Sequence, residues 1–178
     1  MGKRSNFERN PRDYYVTPKS AVEPLIPILR GMGIKTFVEP CAGNGKLIKH
    51  LEEENFKCVG SCDIEPQENS YDIKQHDALT LEFDNKVSDC IITNPPWDRK
   101  ILHPMIEHFS NQLPTWLLFD ADWMHTKQSK LYIDRCRKIV SVGRAKWIEG
   151  SKQTGKDNCC WYLFDKPSST NRTIFIGR

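Results

Sequence analysis

Residues 36–51 have the sequence TFVEPCAGNGKLIKHL, and this stretch decides the fold. Its first three residues are typical of a short buried strand, and Leu47, Ile48 and Leu51 recur at helical spacing. The turn between them, residues 39–45, contains two glycines. Glycines let the backbone approach a ligand closely, and the N-terminus of the following helix offers free N–H groups. The stretch therefore predicts a strand, a ligand-binding turn and a helix.

Predicted strands and helices alternate along most of the chain. Strands are predicted at residues 58–62, 71–73, 87–93, 115–119, 139–142, 145–148, 160–164 and 173–176. A helix is predicted over residues 122–136. The alternation favours a parallel sheet with helices on both faces, and the closely spaced later strands favour an antiparallel edge. We predict an α/β fold in a single domain, residues 14–178, after a flexible basic arm at residues 1–13.

The composition excludes several classes of protein. The chain has 178 residues, of which 38% are hydrophobic and 28% charged, as expected for one globular domain. No apolar run reaches the roughly 18 residues of a membrane span. Its seven cysteines show no paired spacing with nearby histidines, so we expect no metal and reduced thiols. The net charge of +3 permits nucleic-acid binding but does not demonstrate it.

Three polar residues stand where predicted strands end, namely Glu39, Asp63 and Asn94. Ligands of parallel sheets bind at the carboxyl ends of the strands. Asp63 can accept hydrogen bonds from both hydroxyls of a ribose, and the alternative is a solvated loop aspartate. Asp77, after the third predicted strand, can accept a hydrogen bond from the amino group of an adenine ring, or it can simply cap a turn.

The sharpest motif is NPPW at residues 94–97. Two prolines after a buried strand hold the backbone rigid and leave no N–H at either position. The Asn94 side-chain oxygen and a proline carbonyl can together accept both hydrogens of one NH2 group. An aromatic amine held in this way is biased toward a tetrahedral nitrogen, whose lone pair can attack without a strong base. Trp97 would stack on a base taken out of a duplex, and the alternative is a proline turn with a packing tryptophan.

Three later residues are weaker candidates for contact with a substrate. Trp147 can pack on a flipped base or belong to the core. Lys152 and Lys156 lie in a polar loop, residues 149–158, and can contact phosphates, although such a loop is often only solvated.

The order of these motifs resembles that of the class I amino-methyltransferases, chiefly the gamma-type DNA adenine-N6 enzymes of restriction-modification systems and phages. The resemblance covers nearly the whole chain. It implies a three-layer, Rossmann-like methyltransferase fold with a mostly parallel, seven-stranded sheet whose last strand is antiparallel. It also implies methyl transfer from S-adenosylmethionine (SAM), leaving S-adenosylhomocysteine, to the exocyclic amine of adenine in DNA. We expect such an enzyme in the cytoplasm of a bacterial or phage-infected cell.

The motifs and the resemblance together assign residues to the ligands. The cofactor residues are Tyr15, Thr17, Pro18, Glu39, Pro40, Cys41, Ala42, Gly43, Gly45, Asp63, Ile64, Asp77, Ala78 and Asn94. The catalytic residues are Asn94, Pro95, Pro96 and Trp97. The substrate residues are Trp97, Trp147, Lys152 and Lys156.

Two departures from the family leave the substrate open. Gamma-type enzymes carry a separate target-recognition domain, which this chain has no room for, so recognition would fall to the arm at residues 1–13 and the loop at residues 149–158. Tryptophan also stands at position 97, where tyrosine or phenylalanine is usual. The alternatives are the same chemistry on RNA or on a protein glutamine, and a catalytically idle binder of SAM or DNA. The chain fits a monomer or a homodimer equally well.

Overall fold

A computed structural model of the protein describes residues 13–68, 71–148, 150, 154–170 and 172–178. All but the last residue of the predicted arm falls outside this part of the chain. Four α-helices lie within the described residues: α1 (Lys19–Val22), α2 (Ile26–Gly31), α3 (Lys46–Glu52) and α4 (Arg99–Ser110). The strands there are β1 (Thr36–Glu39), β2 (Lys57–Asp63), β3 (Lys74–Gln75), β4 (Cys90–Thr93), β5 (Thr115–Asp120), β6 (Cys136–Gly143), β7 (Cys159–Phe164) and β8 (Ile174–Ile176).

The strands form one sheet in the order β3-β2-β1-β4-β5-β7-β6-β8. Neighbouring strands from β3 to β5 are parallel, whereas β7 runs antiparallel between β5 and β6. The predicted α/β, mostly parallel architecture is confirmed. The described sheet has eight strands instead of the expected seven, because β8 pairs in parallel with β6 and extends the edge.

Both faces of the sheet are buried. In β5, Trp116 and Leu118 belong to the hydrophobic cluster under α1, α2 and α3, while Leu117 and Phe119 belong to the cluster under α4. Successive residues of a strand point to opposite faces, so the continuous apolar run of β5 covers both layers of the core.

The side chain of Trp161 ties the N-terminal helices to the sheet. It is fully buried in β7, and its Nε1 donates a hydrogen bond of 2.7 Å to the carbonyl oxygen of Ala21 in α1. This contact holds α1, and with it the preceding residues 14–17, against the middle of the sheet.

Three local predictions were wrong. Residues 71–73 form no strand, and β3 stands after them at Lys74–Gln75. Residues 122–136 do not form one helix, because Thr126 has extended backbone angles and its side chain accepts a hydrogen bond from the Ser129 N–H. Short 3-10 turns, Ala121–His125 and Lys127–Leu131, stand there instead. Local side-chain bonds of this kind compete with a continuous helix.

The strand predicted at residues 145–148 is also absent from the described part of the sheet. Gly143 ends β6 with a φ of +81°, and the Ala145 carbonyl accepts a hydrogen bond of 2.7 Å from the Gly155 N–H. The chain therefore turns into the loop that leads to β7.

Candidate cofactor and substrate site

A cavity of about 630 Å³ opens at the carboxyl ends of β1, β2 and β4. Glu39, Asp63 and Asn94, the three polar residues at predicted strand ends, all line it. Residues 13–17 form another wall, and Ile101 and Met105 of α4 close the cavity on the side of residue 94. Parallel strands thus bring together side chains that are far apart in the sequence.

Most of the predicted site residues line this cavity, and several do not. The lining residues are Tyr15, Thr17, Glu39, Pro40, Cys41, Ala42, Gly43, Asp63, Ile64, Asp77, Ala78, Asn94 and Pro96. The wall does not include Pro18, Gly45, Pro95, Trp97, Trp147 or Lys156. Lys152 lies outside the described residues.

The two glycines of the turn after β1 are required by its shape. Gly43 and Gly45 have φ angles of +54° and +74°, in the left-handed region where a side chain is strained. A Cβ on Gly43 would come within 2.7 Å of the Tyr14 ring, and one on Gly45 within 2.5 Å of the Tyr71 ring. Gly43 also lines the cavity, whereas Gly45 does not and contributes only to the shape of the turn.

The Asp63 carboxylate is fixed by backbone N–H groups at the end of β2. One oxygen accepts from Gly43 at 2.8 Å and the other from Glu65 at 2.8 Å. Each carboxylate oxygen can accept more than one hydrogen bond. The side chain therefore braces the glycine turn and still has acceptor capacity for a ligand.

The Glu39 carboxyl group is buried with an unsatisfied oxygen. Only 2% of the residue is exposed, and no described residue forms a hydrogen bond with Oε2. Burial raises the pKa of Glu39 well above its ordinary value, and the nearby charge of the Asp63 carboxylate raises it further. A positively charged donor on a ligand would satisfy this oxygen and favour the ionised form.

The Asn94 side-chain amide is held from both of its ends. Nδ2 donates to the Tyr15 carbonyl at 3.4 Å and to the Thr17 hydroxyl at 3.2 Å. Oδ1 accepts from the Trp97 indole N–H at 3.3 Å. Acceptors face the nitrogen and a donor faces the oxygen, which is the pattern that distinguishes the two ends of an amide. The Thr17 hydroxyl is therefore one of the groups that fix the orientation of the Asn94 amide.

The indole of Trp97 is turned toward the protein. Its N–H also donates to the Leu118 carbonyl at 3.1 Å, and its ring packs against both hydrophobic clusters. The ring of Trp147 meets it edge-on, with centroids 5.6 Å apart, and Tyr15 meets Trp147 at 6.4 Å. An aromatic cluster therefore stands beside Asn94 on the side away from the cavity's acidic end.

Asp77 caps the short 3-10 turn Ala78–Thr80 by accepting a hydrogen bond of 3.0 Å from the Leu79 N–H. It lines the cavity as well, so capping and ligand contact are compatible.

Among the described residues, no group of three or more His, Cys, Asp or Glu side chains could hold a metal ion. No helix in the described ranges is long and apolar enough to cross a membrane.

Several cavity residues were missed by the sequence reasoning. Tyr14 packs over Gly43, and Gln67 donates its backbone N–H to the Gly43 carbonyl at 3.0 Å. Ile101 and Met105 also line the wall. The last two are four residues apart on the helix after the NPPW motif, so they share one face, and that spacing was the available signal.

Comparisons with known proteins agree on the fold. No family model and no curated protein matches the sequence. A presumed RNA methyltransferase from Pyrococcus horikoshii matches in structure with a TM-score of 0.60 and 16% identity, over 90% of this chain and 91% of that one.

Two further solved structures are similar. A dimethyladenosine transferase from Plasmodium falciparum matches with a TM-score of 0.51 and 14% identity, over 87% of this chain and 63% of that one. The modification subunit of a presumed type I restriction enzyme from Vibrio vulnificus matches with a TM-score of 0.54 and 13% identity, over 92% of this chain and 47% of that one. With the strand order and the antiparallel β7, these matches establish that the chain has the Rossmann-like fold of the class I SAM-dependent methyltransferases.

Proposed function

We propose that the protein transfers a methyl group from SAM to the exocyclic amine of adenine in DNA. The observation that carries the proposal is the placement of Asn94 on the wall of the same cavity as Glu39 and Asp63. Asn94, which can hold an amine, therefore adjoins a cavity whose two carboxyl groups suit SAM, a positively charged nucleoside. The RNA and restriction-modification proteins among the structural matches support a nucleic-acid substrate.

The described residues fit SAM at three points. The unsatisfied Glu39 carboxyl would hold the ammonium group of the methionine moiety. Asp63 would accept from the ribose hydroxyls, and Asp77 from the adenine amino group, with Ile64 and Leu79 offering apolar contact to the ring. When bound, SAM supplies a methyl group made electrophilic by its sulfonium.

The amine would be held by acceptors at the end of β4. Asn94 Oδ1 and a carbonyl of the double proline, of which Pro96 lines the cavity, would each accept one hydrogen from the adenine NH2. These bonds orient the nitrogen and concentrate its lone pair, and prepositioning of this kind lowers the barrier for transfer. The rigid double proline keeps the two acceptors in register.

Trp97 would act on this arrangement through Asn94. Its indole N–H keeps the amide oxygen from exchanging places with the nitrogen, and one lone pair of Oδ1 remains for the substrate. Stacking of Trp97 on the target base stays a prediction, since the indole packs against the protein in this structure.

Trp97→Phe should therefore lower kcat by about 2- to 10-fold, the worth of one hydrogen bond, and leave the Kd for SAM unchanged. Steady-state kinetics and calorimetric titration with SAM would measure the two effects. Trp123→Phe is the matched control, because it also removes an indole N–H donor, one that donates to His103 at 3.1 Å outside the cavity. A larger loss of kcat in the control than in Trp97→Phe would contradict the positioning role.

The affinity for SAM should rise with pH across the range between the ordinary pKa of Glu39 and its raised pKa. In that range the ligand-free carboxyl is protonated, and the ligand's ammonium group favours ionisation, so binding releases a proton. Calorimetry at pH 5 to 7, in two buffers of different ionisation enthalpy, would count the protons released. In Glu39→Gln the affinity should be weaker and independent of pH, and an unchanged pH dependence would remove Glu39 from the ammonium site.

The direct test is a methyl-transfer assay. Purified protein and labelled SAM are incubated separately with unmethylated DNA, with RNA and with an extract of protein acceptors, and the products are digested and identified by mass spectrometry. N6-methyladenine from DNA is the expected result. Methyl groups on glutamine alone, or on nothing despite SAM binding, would overturn the proposal in favour of a protein substrate or an idle binder.

RNA is the second candidate substrate. The Pyrococcus horikoshii match spans nine-tenths of both chains, and that protein is a presumed RNA methyltransferase. Methyladenosine from RNA at a higher initial rate than from DNA would favour it.

A further inference from the structure

A second cavity, of about 460 Å³, lies at the same edge of the sheet as the cofactor cavity. Its wall includes Asp122 and His125 after β5, Ser141 of β6, Asn158 before β7, and Phe175 and Arg178 around the end of β8. None of the predicted site residues that the structure describes lines it.

The second cavity is close to Asn94. Trp97 follows Asn94 and donates its indole N–H to Leu118 in β5, and the wall of the second cavity begins at Ala121, directly after β5. The strands that border it, β5, β7, β6 and β8, are the first to fourth neighbours of β4. At about 4.8 Å between strands, the cavity begins about 5 Å from the end of β4 and reaches about 19 Å from it.

Phe175 and Arg178 give the second cavity an aromatic face and a positive charge. Phe175 is 60% exposed, so its ring is available for stacking. The Arg178 guanidinium lies against Gly143, at the position that a side chain on Gly143 would occupy. An aromatic ring beside an arginine is suited to a nucleotide, because the ring stacks on the base and the guanidinium binds the phosphate.

The other polar residues of the wall are suited to the edge of a base. Asp122 offers an acceptor, Asn158 offers both a donor and an acceptor, and Ser141 offers a hydroxyl. Such groups read base edges by hydrogen bonding.

We propose that the second cavity binds a nucleotide that flanks the target base on the substrate strand, with Phe175 stacked on its base and Arg178 on its phosphate. The inference rests on the proposed nucleic-acid substrate. Such a site would give the protein a sequence preference. The described residues form one sheet with its helices, and no separate recognition domain is among them.

The inference is tested by fluorescence anisotropy with a labelled adenine-containing single-stranded oligonucleotide, in DNA and RNA versions, at several salt concentrations. Arg178→Ala should weaken binding and lower the slope of log K against log[salt] by about 0.7, the share of one phosphate contact on a single strand. Phe175→Ala should weaken binding by about 5-fold or more with the slope unchanged. Both variants should bind SAM as the wild type does.

The chain offers a matched control for each variant. Arg172→Ala removes the same charge from an exposed position outside the second cavity, and Ile174→Ala truncates the exposed neighbour of Phe175 in β8. If each variant behaves like its control while the wild type binds the oligonucleotide, the second cavity is not a nucleotide site and the proposed function stands. If the wild type binds neither oligonucleotide at low salt, the proposed substrate fails and this inference fails with it.

Discussion

Asn94→Ala should lower kcat for methyl transfer by about 10²- to 10³-fold, the cost seen when one prepositioned hydrogen-bonding group is removed from an active site. The variant loses the acceptor for one amine hydrogen, because alanine has no side-chain oxygen. The Kd for SAM should change little, because the proposed charged contacts to the cofactor come from Glu39 and Asp63, which the variant keeps. Single-turnover transfer and calorimetric titration would measure the two quantities separately.

Two further variants make the Asn94 result specific. Asn94→Asp keeps an acceptor oxygen but loses the donations to Tyr15 and Thr17, so its kcat should lie between those of the wild type and the alanine variant. Asn111→Ala is the control, since Asn111 caps the C-terminus of α4, away from the NPPW motif, and its side-chain oxygen accepts a hydrogen bond from Arg135. Full activity in Asn94→Ala would disprove the amine-holding mechanism.

Asp63→Ala should weaken SAM binding by about 10- to 100-fold. Hydrogen bonds to a charged group contribute about 1.5 to 3 kcal/mol, and every 1.4 kcal/mol is a factor of ten in Kd. The variant also releases the Gly43 N–H, which the carboxylate holds at 2.8 Å, so the glycine turn loses its brace. Titration with S-adenosylhomocysteine would measure the change without turnover.

The control for Asp63 is Asp72→Ala. Asp72 is an exposed aspartate before β3 that pairs with Lys74 at 2.7 Å and lies outside the cavity. Asp63→Asn would separate the two roles, because an amide can still accept from the Gly43 N–H but carries no charge. If Asp63→Ala binds the ligand as tightly as Asp72→Ala does, Asp63 has no part in the cofactor site.

The strand ends were predictable from the sequence. Glu39, Asp63 and Asn94 each follow an apolar run, and the geometry of a parallel sheet alone brings such residues to one edge. The two glycines after β1 were also predictable, because a tight turn between a strand and a helix favours residues that can adopt a positive φ.

The orientation of Trp97 and the second cavity were not predictable. An aromatic residue after two prolines can point outward or inward, and distant contacts such as the bond to the Leu118 carbonyl decide the direction here. The second cavity depends on β8, whose pairing with β6 joins residues 36 positions apart, with β7 between the two strands in the sequence. The helix predicted over residues 122–136 is interrupted at Thr126, whose side chain caps a new 3-10 turn. The spacing of apolar residues carries no information on such capping.

The bond between Trp161 and Ala21 sets an order for folding. It joins residues 140 positions apart, and the segment that it anchors carries Tyr15 and Thr17, which hold the Asn94 amide. A chain emerging from the ribosome can pair β1, β2 and β4 early, but the wall formed by residues 14–17 lacks the Trp161 bond until β7 has been synthesised. The site is therefore fully braced only after β7 has joined the sheet, and a nascent chain that lacks β7 holds this wall less firmly.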